Sequence, residues 1–225
     1  MKRSVINKFE TMEKQLSSYV AQTSYRYMNL CVKAEAVALL SARFNIQGEE
    51  KSIEDVAMVS KKGDYQFMAV PKFEEDMAPL AVGIAMKHPE FKQEYGEQNV
   101  DVTDEEGKSQ TVKVKYLLLT MPEVDDNRYD ALKTAVDAAY KQCKAQMEAV
   151  IKRTEPELNI LLKGEDQNDV DRVNEALKKS KKTWSDQRDK LYDEKIQEIE
   201  DAHEKWIVKQ AEERRSSRRS ESMVE

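Results

Sequence analysis

The 225-residue chain carries 37 lysines and arginines against 43 aspartates and glutamates, a net charge of −6, with only six glycines and five prolines. A negative net charge excludes a protein that is drawn to nucleic acid or membrane by its overall field, so any RNA contact has to use a local patch. Abundant charge and few helix breakers favour long solvated helices, in a chain long enough for one domain or two small ones.

The first segment predicts one long helix over residues 5–37. Its apolar side chains recur at near-helical spacing, at Ile6, Phe9, Met12, Leu16, Val20, Tyr27 and Leu30. This face is too apolar to stand alone, so the helix needs partners elsewhere in the chain. The N-terminus has no apolar signal core, and no apolar run reaches the roughly 20 residues of a membrane span. These features predict a cytoplasmic protein.

Residues 38–119 predict an inserted α/β domain, because the hydrophobic period changes from helical to alternating. Residues 42–48 read as a short strand, and two further strands are joined by a hairpin tip at residues 61–63 and end at Pro71. Residues 76–91 predict an apolar packing helix with Asp76 as its N-cap. Residues 99–103 and 111–120 predict a second hairpin around an acidic turn at 104–110.

The helical pattern returns at Val124. The helix that starts there is expected to be kinked or interrupted at Pro156. A second helical piece ends at Gly164, and the last helix runs from Thr183 to about residue 213. The predicted bundle core includes Tyr140, Cys143, Met147, Ile199 and Trp206. The fold class is therefore α+β: a helical bundle of residues 1–37 and 120–213, with a charged insertion at 168–182, the α/β insert at 38–119, and a disordered tail at 214–225.

No motif in the sequence predicts catalysis, a cofactor or a metal site. The chain has no P-loop, nucleophile elbow or glycine-rich dinucleotide loop. His88 and His203 are predicted to be structural rather than catalytic or metal-binding, and Cys31 and Cys143 to be buried thiols. The acidic run at 104–107 is predicted to be a turn rather than half of a metal loop, because a second ligand cluster is missing.

The order of helix, α/β insert and helices resembles ribosome recycling factor, a family of bacterial and organellar translation factors. Residues 39–64 fit the family's insert without a gap, and residues 77–82 (MAPLAV) read like its Met-Ser-Pro-Ala-Val opening of the insert helix. Met121-Pro122 before residues 125–128 (DDNR), residues 160–166 (ILLKGED) and residues 190–202 (KLYDEKIQEIEDA) are similar to its return to the bundle and its later helices. The resemblance implies a three-helix bundle with an inserted β/α/β domain.

The resemblance also implies a function, which the departures from the family place in question. The family is non-catalytic; it binds the large ribosomal subunit and, with an elongation-factor GTPase, splits post-termination complexes. Its Arg-Thr-Gly-Arg-Ala-Ser-Pro motif is replaced here by residues 31–38 (CVKAEAVA), and its late-helix arginines fall on Glu148 and Ile151. Two hypotheses stay open: a divergent recycling-type translation factor, or a helical interaction protein that keeps the shape and has lost ribosome recycling.

Local cations are the candidates for contact with ribosomal RNA. They are Lys33, Lys141, Lys144, Lys152, Arg153, Lys178, Lys179, Lys181 and Lys182. Nearby carboxylates reduce the local positive charge, so an ordinary solvated helix face is the competing interpretation. The basic run at 214–219 is either an electrostatic tether to RNA or a solubilising tail. The predicted protein is a monomer without a cofactor that binds the ribosome weakly.

Overall fold

The computed structural model describes residues 1–34, 36–40, 42–103 and 109–221, in two compact units. The first unit comprises Met1–Met28 and Asp125–Glu225, and the second comprises Asn29–Val124. Glu35, most of the predicted acidic turn (residues 104–108) and the end of the predicted tail (222–225) lie outside the described residues. In the described part, no helix is both long and apolar enough to cross a membrane.

Three long helices form the first unit. They are α1 (Arg3–Asn29), α4 (Asp126–Leu161) and α5 (Gln167–Glu221). Asp125 caps α4 by accepting a hydrogen bond from the backbone N–H of Arg128 at 2.8 Å. Gly164, at φ +82°, lies in the connection between α4 and α5, where its left-handed conformation is one that a side chain disfavours.

The core of this unit is a seam along the three helices. Its middle section contains the buried side chains Met12, Leu16, Val20, Cys143, Met147 and Val150, and its end section contains Val5, Leu158, Leu162 and Val173. Of the predicted core residues, Cys143, Met147 and Ile199 are fully buried, as expected. Tyr140 and Trp206 are only half-buried, because they lie at the margins of the seam. The Tyr140 hydroxyl donates a hydrogen bond to Asp189 there at 2.8 Å.

Several predicted helix ends are corrected by the structure. Helix α1 ends at Asn29 rather than residue 37, because the following segment packs into the second unit, where the Ala34 N–H bonds the Asp64 carbonyl at 2.7 Å. Pro156 lies inside an unbroken α4, with its ring exposed while Thr154 and Leu158 beside it are buried. The carbonyl that Pro156 leaves without its usual partner is on the exposed side of the helix, which makes the loss tolerable.

Residues 168–182, predicted as a charged insertion, lie in the first turns of α5. Val173, Leu177, Ser180 and Trp184 continue the seam at spacings of four, three and four residues. The final helix therefore begins at Gln167 rather than Thr183, and residues 214–221, predicted as disordered, continue it. The dense charges of this segment occupy the faces that the seam leaves free.

The second unit is a small α/β domain built on an antiparallel sheet. A short hairpin of β1 (Phe44–Ile46) and β2 (Glu49–Lys51) precedes the one-turn helix α2 (Ile53–Val56). The main sheet contains β3 (Ala57–Gly63), β4 (Gln66–Pro71), β5 (Lys92–Thr103) and β6 (Ser109–Thr120), in the order β3-β4-β6-β5. Helix α3 (Met77–Lys87) lies between β4 and β5 in the chain. The strand β3 runs through the predicted hairpin tip, so the turn falls at residues 64–65.

The core of the second unit lies on one face of the main sheet. Phe67 and Ala69 of β4 and Leu117 and Leu119 of β6 pack there with Leu80 and Ile84 of α3 and with Phe44 of β1. Asp76 precedes α3 as predicted, although its side chain makes no capping hydrogen bond. Helix α3 is thus the packing element of the unit, as its apolar sequence indicates.

Candidate nucleic-acid interface

The pairing of α4 with α5 decides which predicted cations share a surface. An ion pair joins Glu155 of α4 to Lys181 of α5, and the Tyr140–Asp189 hydrogen bond lies farther along the same two helices. Because residue numbers rise along α4 as their partners fall along α5, the two helices are antiparallel. In antiparallel helices, equal rotations away from the shared contact turn side chains toward the same outer surface.

Three exposed lysines lie on this outer surface. Each residue turns the side-chain direction by about 100° around a helix, so Lys152 points about 60° away from Glu155 on α4. On α5, Lys178 points about 60° and Lys182 about 100° away from Lys181. All three rotations turn the side chains toward the same side of the α4–α5 pair. All three side chains are exposed, and they lie within about one helical turn of the Glu155–Lys181 pair. We call Lys152, Lys178 and Lys182 the lysine patch.

The other three cations of this region are outside the lysine patch for different reasons. Lys181 is half-buried and paired with Glu155. Arg153 is turned toward α1, where its Nη2 donates to the Gln15 side chain at 3.2 Å. Lys179 is exposed and lies three residues before Lys182, about 60° around α5 from it, so it borders the lysine patch on the side farther from α4.

Lys141 and Lys144 lie farther along α4 and are exposed in a more acidic setting. Asp189 faces Lys144 there. Partial burial opposes ionisation of Asp189, but hydrogen bonds from Arg188 and Tyr140 and the charges of Arg188 and Lys144 hold the pKa of its carboxyl below the ordinary value. An ionised Asp189 offsets the Lys144 charge. Lys33 is exposed in the second unit, so it belongs to a different body.

Arg188 was not among the predicted candidates, and it is a cation held inside the bundle. Its guanidinium stacks 4.8 Å from the centroid of the Tyr140 ring, and its Nε and Nη2 donate to Asp189 at 2.8 and 2.6 Å. Only 8% of the residue is exposed. The position could have been found from its spacing, because Arg188 falls four residues after Trp184 in the seam. It stabilises the contact between α4 and α5 and does not reach solvent as a phosphate ligand would.

The lysine patch can bind phosphate but can do no covalent chemistry. Three ammonium groups on rigid helices provide charge for a nucleic-acid backbone without reading bases. Within the described ranges, no cluster of three or more histidine, cysteine, aspartate or glutamate side chains could hold a metal ion. The lysine patch is therefore suited to electrostatic binding of phosphate groups.

His88 is a satisfied buried residue, as the sequence predicts. Only 2% of it is exposed; its Nε2 lies 2.9 Å from the Ala38 carbonyl and its Nδ1 lies 3.1 Å from Glu90 Oε1. Both neighbours are acceptors, so both ring nitrogens carry hydrogen. Burial opposes the charge, but the Cys31 sulfur at 4.0 Å, the Glu90 carboxylate and the Ala38 carbonyl outweigh it and raise the pKa of His88 to about 9.

This raised pKa predicts that the second unit loses stability in alkaline solution. A group with a higher pKa in the folded state stabilises fully below its unfolded value of 6.5 and loses that contribution as the pH rises through about 9. We expect the free energy of unfolding to fall by about 3 kcal/mol across this window. Urea titrations at several pH values measure it, and His88→Gln should flatten the dependence. An unchanged slope in that variant would contradict the assignment.

Comparison with known structures identifies the fold. A solution structure of ribosome recycling factor matches with a TM-score of 0.70 and 15% identity, covering 89% of this chain and 100% of that one. A chain from models of the T. thermophilus ribosome recycling factor and the E. coli elongation factor G bound to the E. coli post-termination complex matches with a TM-score of 0.54 and 13% identity, covering 87% and 98%. No family model matches the chain. No curated protein matches it by sequence.

These findings establish the architecture expected from the resemblance. The chain has the fold of ribosome recycling factor, a three-helix bundle with a small inserted β/α/β domain. Identities of 15% and 13% carry no residue-level correspondence. The lysine patch therefore has to be judged by its own chemistry.

Proposed function

We propose that this protein is a ribosome recycling factor-like translation factor that binds the ribosome through the lysine patch of its helical bundle. The observation that supports the proposal is the antiparallel pairing of α4 with α5, from which we infer that Lys152, Lys178 and Lys182 face one outer surface. Phosphate contacts of this kind supply affinity without sequence specificity. The large-subunit RNA is the proposed ligand, and the cytoplasm, where ribosomes work, is the proposed location.

The shared fold supports an elongation-factor GTPase as the second partner. One matching structure places ribosome recycling factor and elongation factor G together on a post-termination complex. By analogy, we propose that this chain acts with a related GTPase to release or split such complexes. The chain would contribute binding and position, and the GTPase would contribute the energy of hydrolysis.

The proposed binding is weak. Three clustered lysines are a small phosphate contact, and the exposed Glu148 lies one turn before Lys152 on the same helix. So small a basic surface also fits the second candidate function, a helical interaction protein that no longer recycles ribosomes. The two candidates differ in whether subunits are bound at low salt.

Neutralising the lysine patch is expected to weaken ribosome binding and its salt dependence together. Each lost phosphate contact lowers the slope of log affinity against log salt by about 0.7–0.9, so Lys152→Gln, Lys178→Gln and Lys182→Gln combined should lower it by about 2–3. Co-sedimentation with large subunits across a salt series measures both quantities.

A matched control removes the same charge elsewhere on α5. Lys190, Lys205 and Lys209 are exposed and lie at least eight residues, about 12 Å, beyond Lys182 along α5, so converting these three to glutamine should leave the slope nearly unchanged. Equal losses in the two triple variants would refute a localised site. A complete lack of subunit binding by the folded wild-type protein would favour the interaction-protein candidate.

A further inference from the structure

The main sheet of the second unit carries apolar side chains on both faces, although Lys92, Glu94 and Gln98 of β5 share the outward face with them. Leu117 and Leu119 of β6 point into the core, whereas Tyr116 and Leu118 point to the opposite face. Antiparallel sheets with one solvated face usually alternate apolar and polar residues. The outward residues Val112 and Val114 continue the apolar pattern along the same strand. The second face is therefore built as a contact surface.

Strand pairing makes the outward apolar side chains contiguous. Met68 pairs with Leu118, Met58 with Val70, and Val100 with Val112. The ring of Tyr116 lies over Gly96 of β5, where an added Cβ would come within 2.4 Å of it. We call this surface the open sheet face; its residues are Met58, Met68, Val70, Val100, Val112, Val114, Tyr116 and Leu118.

None of these eight residues is fully buried. Met58 is 67% exposed and Val112 is 38% exposed, and the other six keep intermediate exposure. Helix α3 and the hairpin β1–β2 pack on the other side of the sheet, around Phe44 and Leu80. Within the described part of its own unit, the open sheet face has no covering layer. Contiguous exposed apolar surface of this kind marks interaction sites.

The dimensions of the open sheet face limit the kind of partner that fits it. From Leu118 to Val112 the strand rises about 20 Å; four strands, about 14 Å wide, lie side by side only near Leu118, and only β5 and β6 continue to Val112, so the area is below about 300 Å². A stable dimer typically needs about 800 Å² from each copy. One α-helix, about 10 Å across and 13–14 residues long, matches the length of the surface. The dimensions favour a single docked helix over a second copy of the chain.

The charges at the edge of the open sheet face are unequal. The Lys62 ammonium lies 5.5 Å from the centroid of the Tyr116 ring, and no carboxylate of the described residues forms an ion pair with it. At the β5 side, Lys92 is paired with Glu94 at 2.8 Å. The uncompensated charge is therefore positive and lies beside the centre of the apolar surface. An incoming carboxylate would complement it.

We propose that the open sheet face binds one amphipathic α-helix of a protein partner, with an aliphatic stripe against Met58, Met68 and Leu118 and an acidic residue beside Lys62. Methionine side chains are flexible and adapt to the shape of an incoming apolar surface. The site is in the second unit and uses none of the lysine patch. Failure of helix binding and failure of ribosome binding are therefore separate results.

Two synthetic 14-residue amphipathic peptides test the proposal with the full chain. They share one leucine stripe and carry either glutamates or lysines beside it. Calorimetric titration should show that the acidic peptide binds at least about fivefold more tightly, and Lys62→Gln should abolish this preference. Leu118→Gln should weaken the acidic peptide about tenfold or more, as expected for loss of an anchoring contact.

Two further variants keep the test decisive. Met58→Gln alters a side chain that is 67% exposed, so it tests the surface even if Leu118→Gln does not fold. Val82→Gln alters an exposed apolar side chain of α3, 58% exposed and outside the open sheet face, and should bind like the wild type. Equal binding by Met58→Gln and wild type, or an equal loss in Val82→Gln, would overturn the proposal.

Two other occupants would also overturn it. Sedimentation of the protein alone should show a monomer; a dimer that Met58→Gln abolishes would assign the surface to a second copy. Binding of a single-stranded oligouridylate that Tyr116→Leu abolishes would assign it to stacked bases.

Discussion

Replacing Met147 by alanine is expected to lower the free energy of unfolding of the helical bundle by about 2–5 kcal/mol. Only 1% of Met147 is exposed, and it packs in the middle of the seam with Met12, Leu16 and Cys143. Its sulfur lies 3.7 Å from the Cys143 sulfur. Alanine would remove the buried atoms and leave a cavity that three long helices can close only partly.

The two tryptophans make this effect measurable in one unit. Trp184 and Trp206 both belong to α5, and Trp184 packs against the same cluster as Met147. Urea unfolding followed by tryptophan fluorescence therefore reports on the bundle. Met28→Ala is the control: Met28 also belongs to the first unit but is 49% exposed, so its loss should cost less than about 0.5 kcal/mol. Equal urea midpoints of unfolding for the two variants would show that Met147 is not part of the core.

The bundle could be predicted where apolar spacing was clean and was misread where charges hid it. The seam through Cys143 and Met147 is regular enough to predict α4 directly. In residues 168–182, only Val173 and Leu177 mark the seam among many charged residues, so the start of the last helix was placed at Thr183 instead of Gln167. Pro156 misled for another reason. Its local preference against helix was outweighed by tertiary packing on both sides.

The lysine patch was only partly predictable. Helical spacing along α4 could not place Lys152 beside Lys178 and Lys182, because their proximity depends on the pairing of two helices. That pairing is fixed by contacts between residues distant in sequence, such as Glu155 with Lys181. The ion pair with Glu155 also leaves Lys181 half-buried, so it is not one of the exposed cations. Sequence reasoning therefore named the exposed lysines one by one, but the surface they share follows only from the helix pairing.

The open sheet face was visible in the sequence and was interpreted only locally. The alternation in β6 showed that Tyr116 and Leu118 point away from Lys113 and Lys115. It did not show which side carries the core. The structure places the core with Leu117 and Leu119, on the face that carries both lysines nearer the start of the strand. Only the strand order brings Met58, Met68 and Leu118 together as a surface.

The largest expected effect in the second unit comes from replacing Phe44 by alanine, which should cost about 3–5 kcal/mol. Phe44 is fully buried, and it attaches the short hairpin β1–β2 to helix α3. The expected loss appears in far-UV circular dichroism during urea unfolding, while the tryptophan transition of the bundle stays in place. Phe73→Ala, in the same unit but at a residue 64% exposed, is the control and should cost less than about 0.5 kcal/mol.

The opposite change tests the same contact from the helix side. A Cβ on Gly83 would lie 2.4 Å from the Phe44 ring and 2.8 Å from the Arg43 carbonyl oxygen. Alanine gains about 1 kcal/mol of helix propensity over glycine, whereas overpacking costs about 1–3 kcal/mol. Because the Arg43 carbonyl is backbone and cannot move without displacing β1, overpacking should win, and Gly83→Ala should destabilise the unit. A stabilised Gly83→Ala variant would mean that the hairpin moves away from α3 at little cost, and Phe44→Ala should then also cost much less than expected.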